Sequence, residues 1–380
     1  MKDSINVKGR SIKNYYYRLD IYRFIFTIFV VILHFETFYR TLPKWYHLTR
    51  SFYRAVDFFF LLSGFLLYRS FRSQHYTNAM EFTFAKAKRL IPINFVVVIV
   101  TCFFINFTPI KNLTGILIII RGFLHYFISA IPELLFMQEF IPVFTNFCEG
   151  DYFISIWYIS VMLISGFIWF WILTVSQKKF GDSIKINALV GVFSIIILSY
   201  IFNEYKQLNI SQSFIPGLNL PSGFLRGLAE MGLGVFCANF CIRIDNKKIL
   251  YVLKFLLPIS LFIICFYAAG TSIDFVFVIL CVFVLMFEFS IQEEPCKIIQ
   301  TICRFAGKIS LPIYFSHIFV IIFIYTPIIQ KWDLLYSNFP LDLLVRTVVV
   351  CAISFIFYNL SKLLEKPFNR LYACFKSDEN

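Results

Sequence analysis

Apolar runs of about 18 to 22 residues recur along this whole chain. Each, wound as helix at about 1.5 Å per residue, can cross the roughly 30 Å of hydrocarbon in a bilayer. That feature excludes a water-soluble globule, which needs polar surface to cover its core. Composition agrees, since 59% of the 380 residues are apolar, 20% aromatic and only 15% charged, against about a quarter charged in a soluble domain. The expected fold is all-α, a polytopic transmembrane helical bundle. Hydropathy windows place ten spans, near 20–38, 54–70, 90–108, 155–175, 187–203, 224–242, 249–268, 272–290, 309–329 and 343–362. The apolar stretch 113–137 is broken by Arg121, His125, Pro132 and, beyond it, Pro142, and reads as a re-entrant or interfacial segment.

A net charge of +13 would point to nucleic acid in a soluble protein, but here its distribution reports topology, and no nucleic-acid partner is expected. With the N-terminus inside, alternate segments hold 23 Lys and Arg on the cytoplasmic side and nine outside. Both termini are therefore predicted to be cytoplasmic, as tails 1–18 and 363–380. No repeat, linker or cleavable signal is visible, so 1–380 reads as one integral membrane domain. The ten cysteines show no paired spacing and read as small packing residues. One outer loop departs from the charge rule: 39–54 carries Arg40, Lys44, Arg50 and Arg54 and contains no acidic residue. It suits headgroup anchoring or, alternatively, a positive vestibule for an anionic acceptor. The longest outer segment, 109–154, contains Glu133, Glu139, Glu149 and Asp151.

Ionisable side chains inside spans are costly and so are functional candidates. Arg23 and His34 are eleven residues apart, three helical turns plus about 20°, so they share one face about 16 Å apart along the axis. Asp20, one turn before Arg23, can pair with it. A lone intramembrane His is usually a packed, hydrogen-bonded residue. His34, however, lies at the level of Asp57, which opens the second span, and a carboxylate there would raise its basicity and suit it to general-base work. Ser63, in the same span, is a candidate nucleophile. Lys86 and Arg89 stand one turn apart at the mouth of the third span, on a face that Pro92 continues. Positive-inside anchoring alone would account for them.

In order, these residues resemble the acyltransferase family 3 of integral membrane acyltransferases, over nearly the whole chain. Leu19-Asp20 with Arg23 and His34 is similar to the family's opening pattern, and Asp57 through Phe65 to its Asp-x-Phe-Phe-x-x-Ser-Gly-Phe. Lys86, Arg89 and Pro92 resemble Arg-x-x-Arg-x-x-Pro, with Lys for the first Arg, which loses a bidentate fork. Trp157-Tyr158, Arg226 with Glu230 and Gly234, Ser310 through His317 with Tyr314, and Glu365-Lys366-Pro367 look like further landmarks. Arg226 and Glu230 read equally well as a structural i,i+4 ion pair, and His317 as a hydrogen-bonded structural residue. The acidic pair that often follows the fourth-span Trp is absent.

The resemblance implies transfer of an acyl group, usually acetyl from acetyl-CoA as co-substrate and without a metal, to a hydroxyl of an envelope or exported polysaccharide. It implies a multi-pass protein of a bacterial cytoplasmic membrane. The CoA phosphates would rest on Arg23, Arg89 and Lys86, and His34, oriented by Asp57, would serve as base. The rival reading is a proton-coupled transporter or glycan flippase, for which Pro312 and Pro327 would interrupt the ninth span and Gly232 and Gly234 loosen the sixth. Acyl-CoA binding separates the two.

Overall fold

A computed structural model describes residues 15–37, 49–107, 116–138, 153–181, 184–210, 214–215, 220–240, 246–267, 269–288, 295–328 and 339–377. The helices are α1 (Tyr17–Thr37), α2 (Arg54–Arg72), α3 (Ala79–Phe107), α4 (Ile116–Ser129), α5 (Ile131–Leu134), α6 (Trp157–Phe180), α7 (Ile184–Tyr205), α8 (Ser222–Cys237), α9 (Lys247–Ile264), α10 (Ile273–Glu288), α11 (Lys297–Phe319), α12 (Thr326–Ile328) and α13 (Phe339–Ser377). A 3₁₀ turn, Ile154–Ile156, leads into α6, and a π-helical segment, Val320–Tyr325, joins α11 to α12. Among the described residues there is no strand, only an isolated bridge between Phe214 and Pro221.

Each expected span overlaps a helix among the described residues. Among the described residues, five stretches are long and apolar enough to cross a membrane by themselves: Ala79–Ile105, Ile154–Phe180, Ile186–Tyr205, Lys297–Tyr325 and Pro340–Arg370. Three boundaries differ from expectation. Helix α3 begins at Ala79, well before 90, because the Glu81 amide donates to Asn78 Oδ1 at 2.9 Å while the Thr77 amide donates to the Glu81 carboxylate at 2.8 Å. That reciprocal cap starts a helix in polar sequence that a hydropathy window discards. Helix α11 begins at Lys297 and runs through Pro312 without a break. Its winding changes only in the π segment, where the Ile321 carbonyl accepts from Thr326 Oγ1 at 2.7 Å. Helix α13 continues through Pro367 into the expected tail, since Leu364 and Phe368 extend its apolar face and the Phe368 ring meets Phe95 of α3 at 5.5 Å.

The 14 residues of α4 span only about 21 Å, short of a bilayer. Asn94, midway along α3, donates to the Glu133 carbonyl of α5 at 2.9 Å. The segment thus packs beside the middle of α3, in keeping with a re-entrant element. It leaves through Phe136, whose φ of 55° is unusual for a bulky residue and whose carbonyl accepts from Ser160 Oγ at 2.6 Å.

Helices α2 and α8 lie backbone against backbone. A Cβ on Gly64 would overlap the Met231 carbonyl, and one on Gly234 would overlap the Leu61 carbonyl. Small residues allow this approach where lipid supplies no hydrophobic drive between helices. Arg54 is not part of a positive vestibule: it is fully buried and bonded through Nε to Asp274 of α10 at 2.8 Å. Burial without a partner would cost more than its charge could return. Arg50 is exposed, while Arg40, Lys44, Glu139, Pro142, Glu149 and Asp151 lie outside the described residues. Cys102, Cys237, Cys265, Cys281 and Cys303 are buried thiols outside any disulfide, as packing residues would be.

Candidate functional site

A cavity of about 850 Å³ opens among α1, α2, α3, α6, α11 and α13, at the bundle end where α1 begins. Its volume suits a ligand of cofactor size. Five cations, Arg23, Lys86, Lys88, Arg89 and Lys308, line it against two carboxylates, Asp20 and Glu365. Deeper in, the walls become apolar with Leu62, Leu66, Met162, Leu163 and Met231. An anionic head with an apolar or extended tail fits that gradient.

The cations are positioned locally. Once the Asn78 cap has started α3, helical spacing turns Lys86 and Arg89 to one face, and the Lys86 ammonium lies 5.4 Å from the Phe82 ring centre, a cation–π distance. Arg23 donates to Asp20 at 3.4 Å. Asp20 also accepts from Tyr15 Oη at 2.5 Å, and its carboxylate occupies the space that a Cβ on Gly307 would need. Burial, then the Asp20 carboxylate, push the Tyr15 phenol up to about 12. Tyr15 therefore stays a donor at any physiological pH.

The cavity stops at three rings. Tyr158 and Tyr314 are 5.7 Å apart between centres, and Phe59 stands 6.0 and 6.4 Å from them. Tyr158 Oη is 3.3 Å from Ser63 Oγ, and Tyr314 Oη donates to the Ser155 carbonyl at 2.7 Å. Ser310 lines the same cavity, its Oγ donating to the Gly307 carbonyl at 3.0 Å. Trp157 instead packs on Phe60, with ring centres 6.0 Å apart.

Just beyond Tyr314 the two intramembrane histidines meet. His317 Nε2 is 3.3 Å from His34 Nδ1, His34 Nδ1 is 2.9 Å from the Val30 carbonyl, and His317 Nδ1 is 2.7 Å from the Tyr314 carbonyl. Neither imidazole lines the cavity. Arg23 thus lines the cavity, and His34 lies outside its lining.

Asp57 does not orient His34. Its carboxylate is bound by Arg226, which also donates to Glu230 at 3.1 Å, and all three side chains are buried. The reason is electrostatic: Arg226 on α8 faces α2 across the glycine contact, and a full charge pairs more strongly with the carboxylate than a neutral ring does. Asp20, Arg23, Ser63, Lys86, Arg89, Tyr158 and Tyr314, all singled out by the sequence, line one cavity, although Ser63 was expected near the outer end beside His34. Sequence reasoning missed Lys308, counted as a loop charge because α11 starts earlier than hydropathy indicates, and also Lys88, Tyr15 and the α13 residues Glu365, Phe368 and Asn369.

Searches of curated proteins and of solved structures returned no match to this chain. A family model described as an acyltransferase domain, that of acyltransferase family 3, matches residues 16–359. Arg23, His34, the glycine-joined α2 and α8, the basic face of α3 and the His317 turn all lie within those residues. The chain belongs to this family of membrane acyltransferases.

Proposed function

We propose that the protein transfers an acyl group, in the first instance acetyl, from cytoplasmic acyl-CoA to a hydroxyl of an envelope or exported glycan. The observation that carries this is the cavity: five cations and an apolar wall share it, and Tyr314, which also lines it, lies one helical turn before His317 of the imidazole pair. The CoA phosphates would lie on Arg23, Lys86 and Arg89, with Lys88 and Lys308 adding charge. The pantetheine arm would follow the apolar wall toward Tyr158 and Tyr314. A glycan hydroxyl would enter from the opposite, outer end of the bundle in a bacterial cytoplasmic membrane.

Transfer requires the Tyr158–Tyr314 pair to part so that the thioester reaches His34. His34 then takes the hydroxyl proton as the oxygen attacks the thioester carbonyl. The O–C bond forms, the C–S bond breaks, and the leaving thiolate recovers the proton from the imidazolium. Base assistance of this kind contributes about 10²- to 10⁴-fold. Preorganised cations for the phosphates would supply binding.

The test is proton NMR of surface polysaccharide from cells carrying the wild-type chain or His34→Ala at matched membrane levels. Loss of an O-acyl resonance in the variant alone is expected. Identical polysaccharides, together with no binding of acetyl-CoA to the purified protein, would shift the reading to a carrier. At the rim, Arg89→Gln is expected to raise KM for acetyl-CoA about tenfold with kcat little changed, because Arg89 meets a phosphate that does not change during the reaction.

A further inference from the structure

We infer that His317 is a positioning residue that, as a second acceptor beside the Val30 carbonyl, holds His34 in one tautomer and makes His34 Nε2 the nitrogen that exchanges the proton. The inference rests on the acyl-transfer reading for its consequence but on hydrogen-bond chemistry for its content. A carbonyl oxygen only accepts. His317 Nδ1, at 2.7 Å from the Tyr314 carbonyl, must therefore carry a hydrogen, which in a neutral ring leaves Nε2 as the lone-pair nitrogen. His34 Nδ1, at 2.9 Å from the Val30 carbonyl, must carry a hydrogen by the same logic. The contact between the rings then has one sense: His34 Nδ1–H is shared between the Val30 carbonyl and His317 Nε2, 3.3 Å away. The remaining nitrogen of His34, Nε2, holds the lone pair.

Two backbone carbonyls, on α1 and α11, thus set the order of protons in a pair whose members lie 283 residues apart in sequence. The arrangement does the work for which a carboxylate was expected at Asp57. When Nε2 takes a proton, the charge spreads to Nδ1–H, and the lone pair of His317 faces it. Asp57 is committed to Arg226, so the imidazolium forms beside a neutral acceptor. It returns its proton to the thiolate more readily than it would beside a carboxylate.

The test uses the full chain in nanodiscs with nitrogen-15-labelled histidine. The protein has 5 histidines, and the His34 resonances are assigned by their loss in His34→Ala. At about pH 8, above the ordinary imidazole range, the wild type should show His34 with Nδ1 protonated and Nε2 bare. A bare Nδ1 would overturn the inference. His317→Leu should lower kcat about 10²-fold with KM for the donor unchanged, and the His34 signals should turn to a mixture of tautomers. His317→Gln, whose amide oxygen can accept in place of Nε2, should recover kcat to within about tenfold of wild type. Equal loss in the Leu and Gln variants, with the His34 tautomer unmoved in both, would reduce His317 to packing. Wild-type protein that shows the stated tautomer but never consumes acyl-CoA would sink the transferase reading while leaving the hydrogen-bond order intact.

Discussion

Arg226 holds two buried carboxylates at once, Asp57 and Glu230, and removing the guanidinium leaves both uncompensated. Arg226→Gln is expected to cost about 3–5 kcal/mol, read as a lower melting temperature in detergent and a smaller folded yield. His34→Ala should leave both near wild type. An Arg226 variant as stable as wild type would mean that the cluster is not holding α8 to α2. Asp57→Asn should follow Arg226→Gln in stability, so its loss of activity will track loss of folded protein. This is where the sequence was only half legible. Spacing along one helix gave the depth of Asp57 and of His34, and the shared face of Arg23 and His34. It could not give the neighbour on another helix: the partner of Asp57 is 169 residues away.

Helices were legible wherever they were apolar and illegible where they were not. The windows fell on helices because hydrocarbon forces every backbone group into intrahelical bonds. They missed 79–89 and 297–308, where caps and charged faces carry the helix out of the apolar zone, and those turns hold Lys86, Lys88, Arg89 and Lys308. The extension of α13 past 362 was missed for the same reason. Truncation after Lys362 should remove Glu365, Phe368 and Asn369 from the cavity wall and raise KM for acetyl-CoA several-fold. An unchanged KM would detach this helix from donor binding. The α2–α8 contact gives a stricter test. Gly64→Ala and Gly234→Ala each force a methyl against backbone, so each should destabilise by at least the roughly 1–3 kcal/mol of core overpacking. A thermal melt of either variant within a degree of wild type would contradict the close approach.

Across the whole molecule, charge and hydropathy point the same way: the basic cavity lies at the end where α1 begins, the end that the count of Lys and Arg assigns to the cytoplasm. Cysteine tags at either terminus should resist a membrane-impermeant maleimide in intact cells and react after permeabilisation. Labelling of either terminus in intact cells would reverse the predicted topology and with it the donor's side. Because the rim is cationic, affinity for acetyl-CoA should fall as salt rises from about 50 to 200 mM, over which the Debye length shortens toward 7 Å, and the fall should be shallower in Arg89→Gln. The partition of Phe59, Tyr158 and Tyr314 has a bearing on the cell as well as on the substrate. A solute that enters from the basic end meets these packed aromatic rings. If the proposed transfer across the membrane holds, such a partition would let the protein idle in an energised membrane without short-circuiting the proton gradient, and turnover would have to keep that insulation intact at every stroke.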